Sequence, residues 1–152
     1  MKIEVIECDL FEFEGKRDLV HCISADFALG AGIAKNFKER GIRDQLRSKW
    51  GYPDYLQQYD GKGHALKTGH VWNLVTKAIC RDKPTYKSMV EALVELRAGL
   101  ATEKIDKIAM PKIGCGLDRL SWEIVFKLIN KVFEKTNVDI IVCVKNTLAK
   151  SR

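Results

Sequence analysis

The sequence lacks the features that mark several large protein classes. No apolar run approaches the ~20 residues that a membrane span requires, and residues 1–5 begin a strand-like alternation instead of a signal-peptide core. The five cysteines form no C-x-x-C pair, which argues against a zinc site and against a disulfide framework. No internal repeat, low-complexity tract or linker interrupts the chain. We therefore expect a single domain over residues 1–152, in a protein that is neither secreted nor membrane-bound and that is cytoplasmic, or nuclear in a eukaryote.

The composition is that of a folded domain with an excess of positive charge. Hydrophobic residues make up 46% and charged residues 30% of the chain, proportions that are typical of a soluble globular protein. The net charge of +6 favours anionic partners, either nucleic acid or a phosphorylated small molecule. The basic residues are scattered, however, and the densest stretch, residues 35–49, also contains Glu39 and Asp44, as a solvated helix face does. Charge alone therefore does not identify a nucleic-acid-binding protein.

Apolar periodicity predicts strands that alternate with helices. Strand patterns cover residues 2–6, 18–23, 70–76, 105–110 and 138–144. Helical patterns run from Ile33 past Gly41 to Trp50, over residues 86–100 with Pro84 in the first turn, and over residues 122–133 with Ser121 as the cap. Residues 51–69 show little periodicity and are predicted to be irregular, with one short strand at 65–67. This alternation predicts a three-layer α/β fold with a mixed, partly parallel central sheet flanked by helices.

Two short glycine motifs indicate where a ligand would bind. Gly30-Ala31-Gly32 follows a predicted strand and opens a predicted helix, so its backbone N–H groups and the helix N-terminus suit an anion. Gly114-Cys115-Gly116 follows another predicted strand, and Asp118 ends that loop. A single G-x-G is more often an ordinary tight turn, but two of them at two strand ends favour a clamp on one diphosphate. Ligands of such sheets collect at the carboxyl ends of the strands.

Four polar residues near the predicted strand ends each have two interpretations. Lys77 ends an apolar strand, where it either leaves the sheet for solvent or lies in a partly enclosed site that favours the neutral, nucleophilic amine. Asp118 either complements the N-terminus of the next helix or acts as a base beside Lys77. Asp9 is either a turn or cap residue or an acceptor for an exocyclic amine such as that of adenine. His21 lies in an apolar run, which favours a core histidine over a general base or a metal ligand.

Six segments, taken in this order, resemble the macrodomain family, in the branch typified by the terminal ADP-ribose protein glycohydrolase and by O-acetyl-ADP-ribose deacetylases. They are Cys8-Asp9-Leu10-Phe11, His21-Cys22-Ile23-Ser24, Gly30-Ala31-Gly32-Ile33-Ala34, Thr76-Lys77, Lys83-Pro84-Thr85-Tyr86 and Met110-Pro111-Lys112-Ile113-Gly114-Cys115-Gly116-Leu117-Asp118-Arg119-Leu120. The resemblance covers nearly the whole chain, and the last segment is the most specific. It implies the macrodomain fold, with ADP-ribose in a cleft over the strand ends.

The resemblance also implies a role for each matching residue. Lys77 corresponds to the catalytic lysine of this branch, which attacks the anomeric carbon of ADP-ribose, and Asp118 to the acidic residue that assists this step and resolves the lysyl adduct. Asp9 would meet the adenine amine, and residues 30–33 and 113–117 would wrap the diphosphate and the distal ribose. The full set of expected ligand contacts is Asp9, Leu10, His21, Ile23, Ser24, Gly30, Ala31, Gly32, Ile33, Thr76, Pro111, Ile113, Gly114, Cys115, Gly116 and Leu117.

The implied activity is hydrolysis that removes mono-ADP-ribose from ester-linked glutamate or aspartate on protein, or from related adducts such as O-acetyl-ADP-ribose and ADP-ribosylated DNA bases. The expected partners are ADP-ribose, ADP-ribosylated protein and ADP-ribosylated nucleic acid, with the chain acting as a monomer and without a metal or organic cofactor. Three alternatives stay open: a module that binds ADP-ribose without cleaving it, a phosphatase for ADP-ribose 1″-phosphate, and a nucleic-acid-binding protein that uses its basic surface, whose binding would depend steeply on salt. The chain departs from the family type at Cys143, where the type has an aromatic residue, in residues 51–69 and after Val144.

Overall fold

Six strands build one mixed sheet, in the spatial order β1-β6-β5-β2-β4-β3. The strands are β1 (Lys2–Glu7), β2 (Asp18–Ser24), β3 (His64–Thr68), β4 (Val71–Lys77), β5 (Lys107–Met110) and β6 (Asp139–Val144). Every neighbouring pair is parallel except β3 and β4, which pair antiparallel. The structure is a computed structural model that describes residues 1–145, so residues 146–152 of the predicted domain lie outside the described part.

Helices cover both faces of the sheet. They are α1 (Gly32–Glu39), α2 (Ile42–Trp50), α3 (Asp54–Gln58), α4 (Tyr86–Glu103) and α5 (Trp122–Phe133). Residues of each strand point alternately into two cores: along β5, Ile108 and Met110 enter the core under α4 and α5, whereas Ala109 enters the core under α1 and α2. The predicted three-layer α/β architecture with a mixed sheet is therefore confirmed. Among the described residues, no helix combines the length and the apolar character that crossing a membrane requires.

A buried polar pair joins β2 to β4. His21 and Asn73 are register partners, both are 0% exposed, and His21 Nε2 lies 2.5 Å from Asn73 Oδ1. Asn73 Nδ2 donates to Leu66 O and to Thr68 Oγ1, each at 2.9 Å, so the amide oxygen is the atom that faces His21. His21 therefore donates through Nε2–H in its neutral form. Burial lowers the pKa of His21 to about 4, although the hydrogen bond to Asn73 partly opposes this shift.

The helix predicted to run from Ile33 to Trp50 is broken at Gly41. The φ of Gly41 is 82°, in the left-handed region, so α1 ends at Glu39 and α2 begins at Ile42. The periodicity of the apolar positions continues across the break because both helices pack on the same core.

Residues 51–69 contain a helix that was not predicted and a strand that is longer than predicted. The helix α3 has only five residues and buries none of them, so it leaves no apolar stripe in the sequence. The strand β3 is longer than the predicted 65–67, and it follows Gly63, where an added Cβ would overlap Ser88 O of α4. A short 3-10 helix (Leu10–Phe13), which was not predicted, follows β1.

The starts of α4 and α5 differ in detail from the prediction. Thr85 caps α4: its Oγ1 accepts the Ser88 N–H at 3.0 Å, and Ser88 Oγ accepts the Thr85 N–H at 3.1 Å. Pro84 therefore precedes the cap and does not lie in the first turn. Ser121 occupies the cap position of α5, but its side chain makes no capping hydrogen bond, and its backbone N–H donates to Tyr86 Oη at 3.0 Å.

Candidate active site

A cleft of about 800 Å³ opens over the carboxyl ends of the five parallel strands. Each strand contributes a residue at or just after its last position: Cys8, Ser24, Lys77, Pro111 and Lys145. Parallel strands end at one edge of the sheet, so the loops that leave them converge there and can hold a ligand.

Lys77 and Asp118 form an ion pair inside this cleft. Lys77 Nζ lies 2.6 Å from Asp118 Oδ1 and donates a second hydrogen bond of 2.9 Å to the Cys80 carbonyl. The two side chains are only 12% and 18% exposed, so solvent screens their interaction weakly. An ammonium in direct contact with a carboxylate can transfer a proton to it, which leaves the neutral amine that a lysine needs to act as a nucleophile. Lys77 thus lies in a partly enclosed site and does not extend into solvent.

The loop after β5 carries Asp118 to this position through a tight reversal at Gly114. The φ of Gly114 is 73°, and its carbonyl accepts the N–H of Leu120 at 2.8 Å. A Cβ at Gly114 would lie 2.7 Å from Met89 Cε and 3.0 Å from Leu120 Cδ1. The backbone conformation therefore favours glycine at this position, and a Cβ would also displace the ends of the Met89 and Leu120 side chains.

The loop after β4 is held by the carboxylate of Asp26. Asp26 Oδ2 accepts the N–H of Cys80 at 3.1 Å. Its Oδ1 accepts the N–H of Ala28 at 3.1 Å and the hydroxyl of Ser24 at 2.5 Å. The carboxylate therefore connects the loop after β2 to the loop after β4, and it holds the backbone of Cys80, the residue whose carbonyl accepts the hydrogen bond from Lys77.

The N-terminus of α1 presents backbone N–H groups to the cleft. Residues 30–34 line the cleft, and Ala31, at the cap position, offers no side-chain hydrogen bond to the first turn. These N–H groups and the positive end of the helix dipole favour an anion. A Cβ added at Gly32 would lie 3.7 Å from Leu117 Cδ1, so the two glycine loops face each other across the cleft. This geometry is compatible with the diphosphate clamp expected from the sequence.

Most of the residues that were expected to act in the site line the cleft. They are Leu10, Ile23, Ser24, Gly30, Ala31, Gly32, Ile33, Lys77, Pro111, Ile113, Gly114, Cys115, Gly116, Leu117 and Asp118. Asp9 does not line the cleft, although its neighbours Cys8 and Leu10 do. Its side chain is exposed, and Oδ1 accepts the Phe11 N–H at 3.0 Å as the cap of the 3-10 helix.

His21 and Thr76 also do not line the cleft. The His21 ring stacks on Phe37, with 3.9 Å between ring centroids, and is bound to Asn73. Thr76 is 3% exposed within β4. Both side chains are core residues because β2 and β4 are covered on both faces, and neither is among the residues that line the cleft.

A further group of lining residues was not predicted from the sequence as ligand contacts. They are Cys8, Cys22, Leu29, Ala34, Cys80, Arg81, Asp82, Lys83, Lys112, Arg119, Cys143, Val144 and Lys145. The strand-end rule that located Ser24 and Lys77 applies equally to the residues that follow β4 and β6. That rule was the available signal for the loop at 80–83 and for residues 143–145.

All five cysteines of the chain line the cleft, but three of their thiols are held in the neutral form. Burial raises the pKa of Cys22, and the charge of Asp118 and the neighbouring Cys115 raise it further. Burial likewise raises the pKa of Cys115 and of Cys143. Neutral thiols are weak nucleophiles, so these three cysteines are poorly suited to attack a substrate. In the part of the chain that is described, no group of three or more His, Cys, Asp or Glu side chains is arranged to hold a metal ion.

Comparison with known proteins places this geometry in a family. No protein-family model matches the chain. The chain is 36% identical to ADP-ribose glycohydrolase OARD1 of Bos taurus and 35% identical to that of Homo sapiens, in each case over 145 residues that cover 93% of this chain and 90% of the relative.

The macrodomain of Thermus aquaticus DarG matches the structure with a TM-score of 0.73 at 21% identity, over 95% of this chain and 97% of that chain. Thermosipho africanus DarTG in complex with ADP-ribose matches with a TM-score of 0.71 at 20% identity, over 96% of this chain and 42% of that chain. The structural matches show the fold, and the identity to the OARD1 proteins shows that this chain belongs to the macrodomain family, among its ADP-ribose glycohydrolases.

Proposed function

We propose that this protein hydrolyses the bond between ADP-ribose and a carboxylate side chain, and so removes mono-ADP-ribose from glutamate or aspartate of a modified protein. The observation that carries the proposal is the contact of 2.6 Å between Lys77 Nζ and Asp118 Oδ1 within the cleft. A module that only binds ADP-ribose needs the glycine loops but has no need for a paired lysine and carboxylate. The names of the OARD1 relatives support hydrolysis as the reaction class.

The cleft has complementary sites for the parts of ADP-ribose. The N-terminus of α1 and the loop at 114–116 suit the diphosphate, because both offer backbone N–H groups without side chains in the way. The end lined by Cys8, Leu10 and Cys143 is largely apolar and suits the adenosine. The distal ribose then reaches the end of the cleft where Lys77 and Asp118 meet.

The first chemical step uses Lys77 as the nucleophile. The Lys77 ammonium transfers a proton to Asp118, and the neutral Nζ attacks the anomeric carbon of the distal ribose. The bond from this carbon to the acyl oxygen breaks as the bond to Nζ forms, and its electron pair leaves with the acceptor carboxylate. The carboxylate is a stable anion and needs no proton to leave.

The second step uses Asp118 as a base. After its proton has passed to solvent, the carboxylate takes a proton from a water molecule that attacks the anomeric carbon. The carbon–nitrogen bond breaks, Lys77 leaves as the neutral amine, and free ADP-ribose is formed. The net reaction consumes one water and yields ADP-ribose, the acceptor carboxylate and a proton. O-Acetyl-ADP-ribose is a substrate by the same chemistry, because its leaving group is also a carboxylate.

The test is release of ADP-ribose from a glutamate-linked mono-ADP-ribosylated protein by wild type, Lys77→Ala and Asp118→Ala. Lys87→Ala is the matched control, because Lys87 is exposed on α4 and does not line the cleft. Calorimetric binding of free ADP-ribose to each variant shows that the cleft is intact. We expect both site variants to bind ADP-ribose and to lose release by at least about 100-fold, the usual loss when an acid–base or nucleophilic group is removed.

Two results would contradict the proposal. In the first, wild-type protein binds ADP-ribose but releases none from the modified protein, from O-acetyl-ADP-ribose or from ADP-ribosylated DNA. The protein would then be a binding module. In the second, the protein releases phosphate from ADP-ribose 1″-phosphate, this activity survives Lys77→Ala, and no ADP-ribose is released from the esters. The protein would then be a phosphatase.

A further inference from the structure

Positive charges surround the catalytic end of the cleft. Four exposed basic side chains line it there: Arg81, Lys83, Lys112 and Arg119. The first two belong to the loop after β4 that contacts Lys77 through Cys80, and the other two to the loop after β5 that carries Asp118. We call these four residues the basic rim.

Within residues 1–145, the charges of the basic rim are not neutralised by ion pairs. None of the four forms an ion pair with an acidic side chain of residues 1–145, whereas the basic residues Arg17 and Lys67 pair with Asp139 and Glu103. Apart from Asp118, Asp82 is the one acidic residue among the described cleft-lining positions. Unpaired charges of one sign along the walls of a cleft create a field that attracts and orients anions.

ADP-ribose itself does not account for the basic rim. Its diphosphate is assigned to the backbone N–H groups of α1 and of the loop at 114–116, and its adenosine to the apolar end. The basic rim belongs to the two loops that meet at Lys77 and Asp118, so in the proposed binding mode it lies where an acceptor on the anomeric carbon would extend from the cleft. A charged surface at that place acts on the acceptor and not on the ADP-ribose.

On the basis of the proposed function, we propose that the basic rim binds acidic residues that flank the modified glutamate or aspartate in a polypeptide acceptor. Leu117, which is 72% exposed in the same loop as Arg119, offers an apolar contact of the kind a peptide side chain uses. Nucleic acid fits less well. Single strands bind by stacking their bases on aromatic side chains, and no aromatic residue occurs among the described residues that line the cleft.

The first experiment compares two peptides that carry the same ADP-ribosylated glutamate. In one the flanking residues are Asp and Glu, and in the other they are Asn and Gln at the same positions. We expect kcat/KM to be about tenfold higher for the acidic peptide, as two or three exposed charge pairs of ordinary strength would give. The preference should weaken at high ionic strength, because the rim is exposed to solvent.

The second experiment assigns the preference to the rim. The double variant Arg81→Gln/Lys83→Gln should lower the acidic-to-neutral ratio of kcat/KM to about two. Lys107→Gln/Lys127→Gln makes the same change in net charge at two exposed positions outside the cleft and should keep the wild-type ratio. A general effect of net charge would lower the ratio equally in both double variants, which would overturn the assignment to the rim.

The outcomes separate this inference from the proposed function. Equal kcat/KM for the two peptides overturns the basic rim as an acidic-peptide site and leaves the hydrolase intact. Release from neither peptide, with free ADP-ribose still bound, overturns both. Release from an ADP-ribosylated oligonucleotide but from neither peptide assigns the rim to nucleic acid and also overturns the proposal.

Discussion

The ammonium of Lys77 and the carboxylate of Asp118 are in contact at 2.6 Å although 41 positions separate them in the chain. The contact exists because β4 and β5 are parallel strands of one sheet, so that the loops leaving them meet at the same edge. It has a chemical consequence, since an ammonium cannot attack carbon until it has lost a proton. The nearest proton acceptor is therefore already in place before the substrate binds.

This contact predicts a large loss of rate in Asp118→Asn. The amide oxygen can still accept a hydrogen bond from Lys77, but the amide cannot take up the proton that Lys77 must lose before it attacks. We expect the single-turnover rate of ADP-ribose release to fall by about 100- to 1,000-fold. Binding of free ADP-ribose, measured by calorimetry, should change by no more than a few-fold. An Asp118→Asn variant with a wild-type rate would remove Asp118 from the mechanism, and Asp106→Asn, at an exposed position outside the cleft, is the control.

The carboxylate of Asp26 predicts an effect on rate from a residue that does not line the cleft. In Asp26→Asn, an NH₂ group or a weaker acceptor replaces the oxygen that receives the Cys80 N–H at 3.1 Å. The loop then loses its connection to the loop after β2, and Cys80 O no longer holds Lys77 in place. We expect kcat to fall by about tenfold with the dissociation constant for ADP-ribose nearly unchanged. A variant whose ADP-ribose binding falls as much as its kcat would show a general loss of structure instead.

Much of the fold could be predicted because strands buried on both faces are nearly continuous apolar runs. In β4 the apolar run ends at Lys77 and in β6 at Val144, so the strand ends, and with them the place of the cleft, follow from local sequence. The two glycine motifs in addition predicted which loops would approach a ligand.

The elements that were missed depend on contacts distant in sequence or on very local turns. Even in α4, which was predicted, the glycine at position 99 has a cause distant in sequence, because a Cβ there would lie 2.6 Å from the Trp72 ring. Gly63 similarly marks where the start of β3 approaches α4. No pattern within a short window contains this information. The five-residue α3 and the 3-10 helix are too short to show a period.

In the candidate site, too, some features could be predicted from the sequence and others could not. Lys77 and Asp118 were identified by resemblance, and only the sheet brings them together. His21 was expected to touch the ligand on the same grounds, although the apolar residues around it favoured the core, where the structure has it. The basic rim was not apparent from the sequence because its members come from two loops that are far apart in the chain.

Two glycines of one loop should respond differently to alanine. Gly114→Ala places a Cβ against Met89 and Leu120 at a φ of 73°, so we expect a loss of about 2 kcal/mol in the free energy of unfolding. Gly116→Ala meets nothing within 4 Å, so its stability should stay within about 0.5 kcal/mol of wild type. Urea unfolding with a common m-value measures both. Equal losses in the two variants would show that the loop does not keep this conformation in solution.

The buried His21 predicts that stability falls in weak acid. Its pKa is lowered from 6.5 to about 4 in the folded protein, so the unfolded chain binds the proton more tightly. The contribution of neutral His21 to the free energy of unfolding should therefore be fully present above pH 6.5. It should be lost as the pH falls from 6.5 towards 4. The contribution of His21 to this decrease is about 3 kcal/mol, from the size of the shift.

The measurement is the free energy of unfolding of wild type, His21→Gln and Ile129→Val across that pH range. Glutamine can still donate to Asn73 Oδ1 but does not titrate, so the His21→Gln curve should be flatter than that of wild type. Ile129→Val removes a buried methyl group and should lower stability by about 1 kcal/mol at every pH, giving a curve parallel to wild type. The comparison of slopes thus separates titration from general destabilisation. If the His21→Gln and wild-type curves are parallel, a group other than His21 takes up the proton that destabilises the fold.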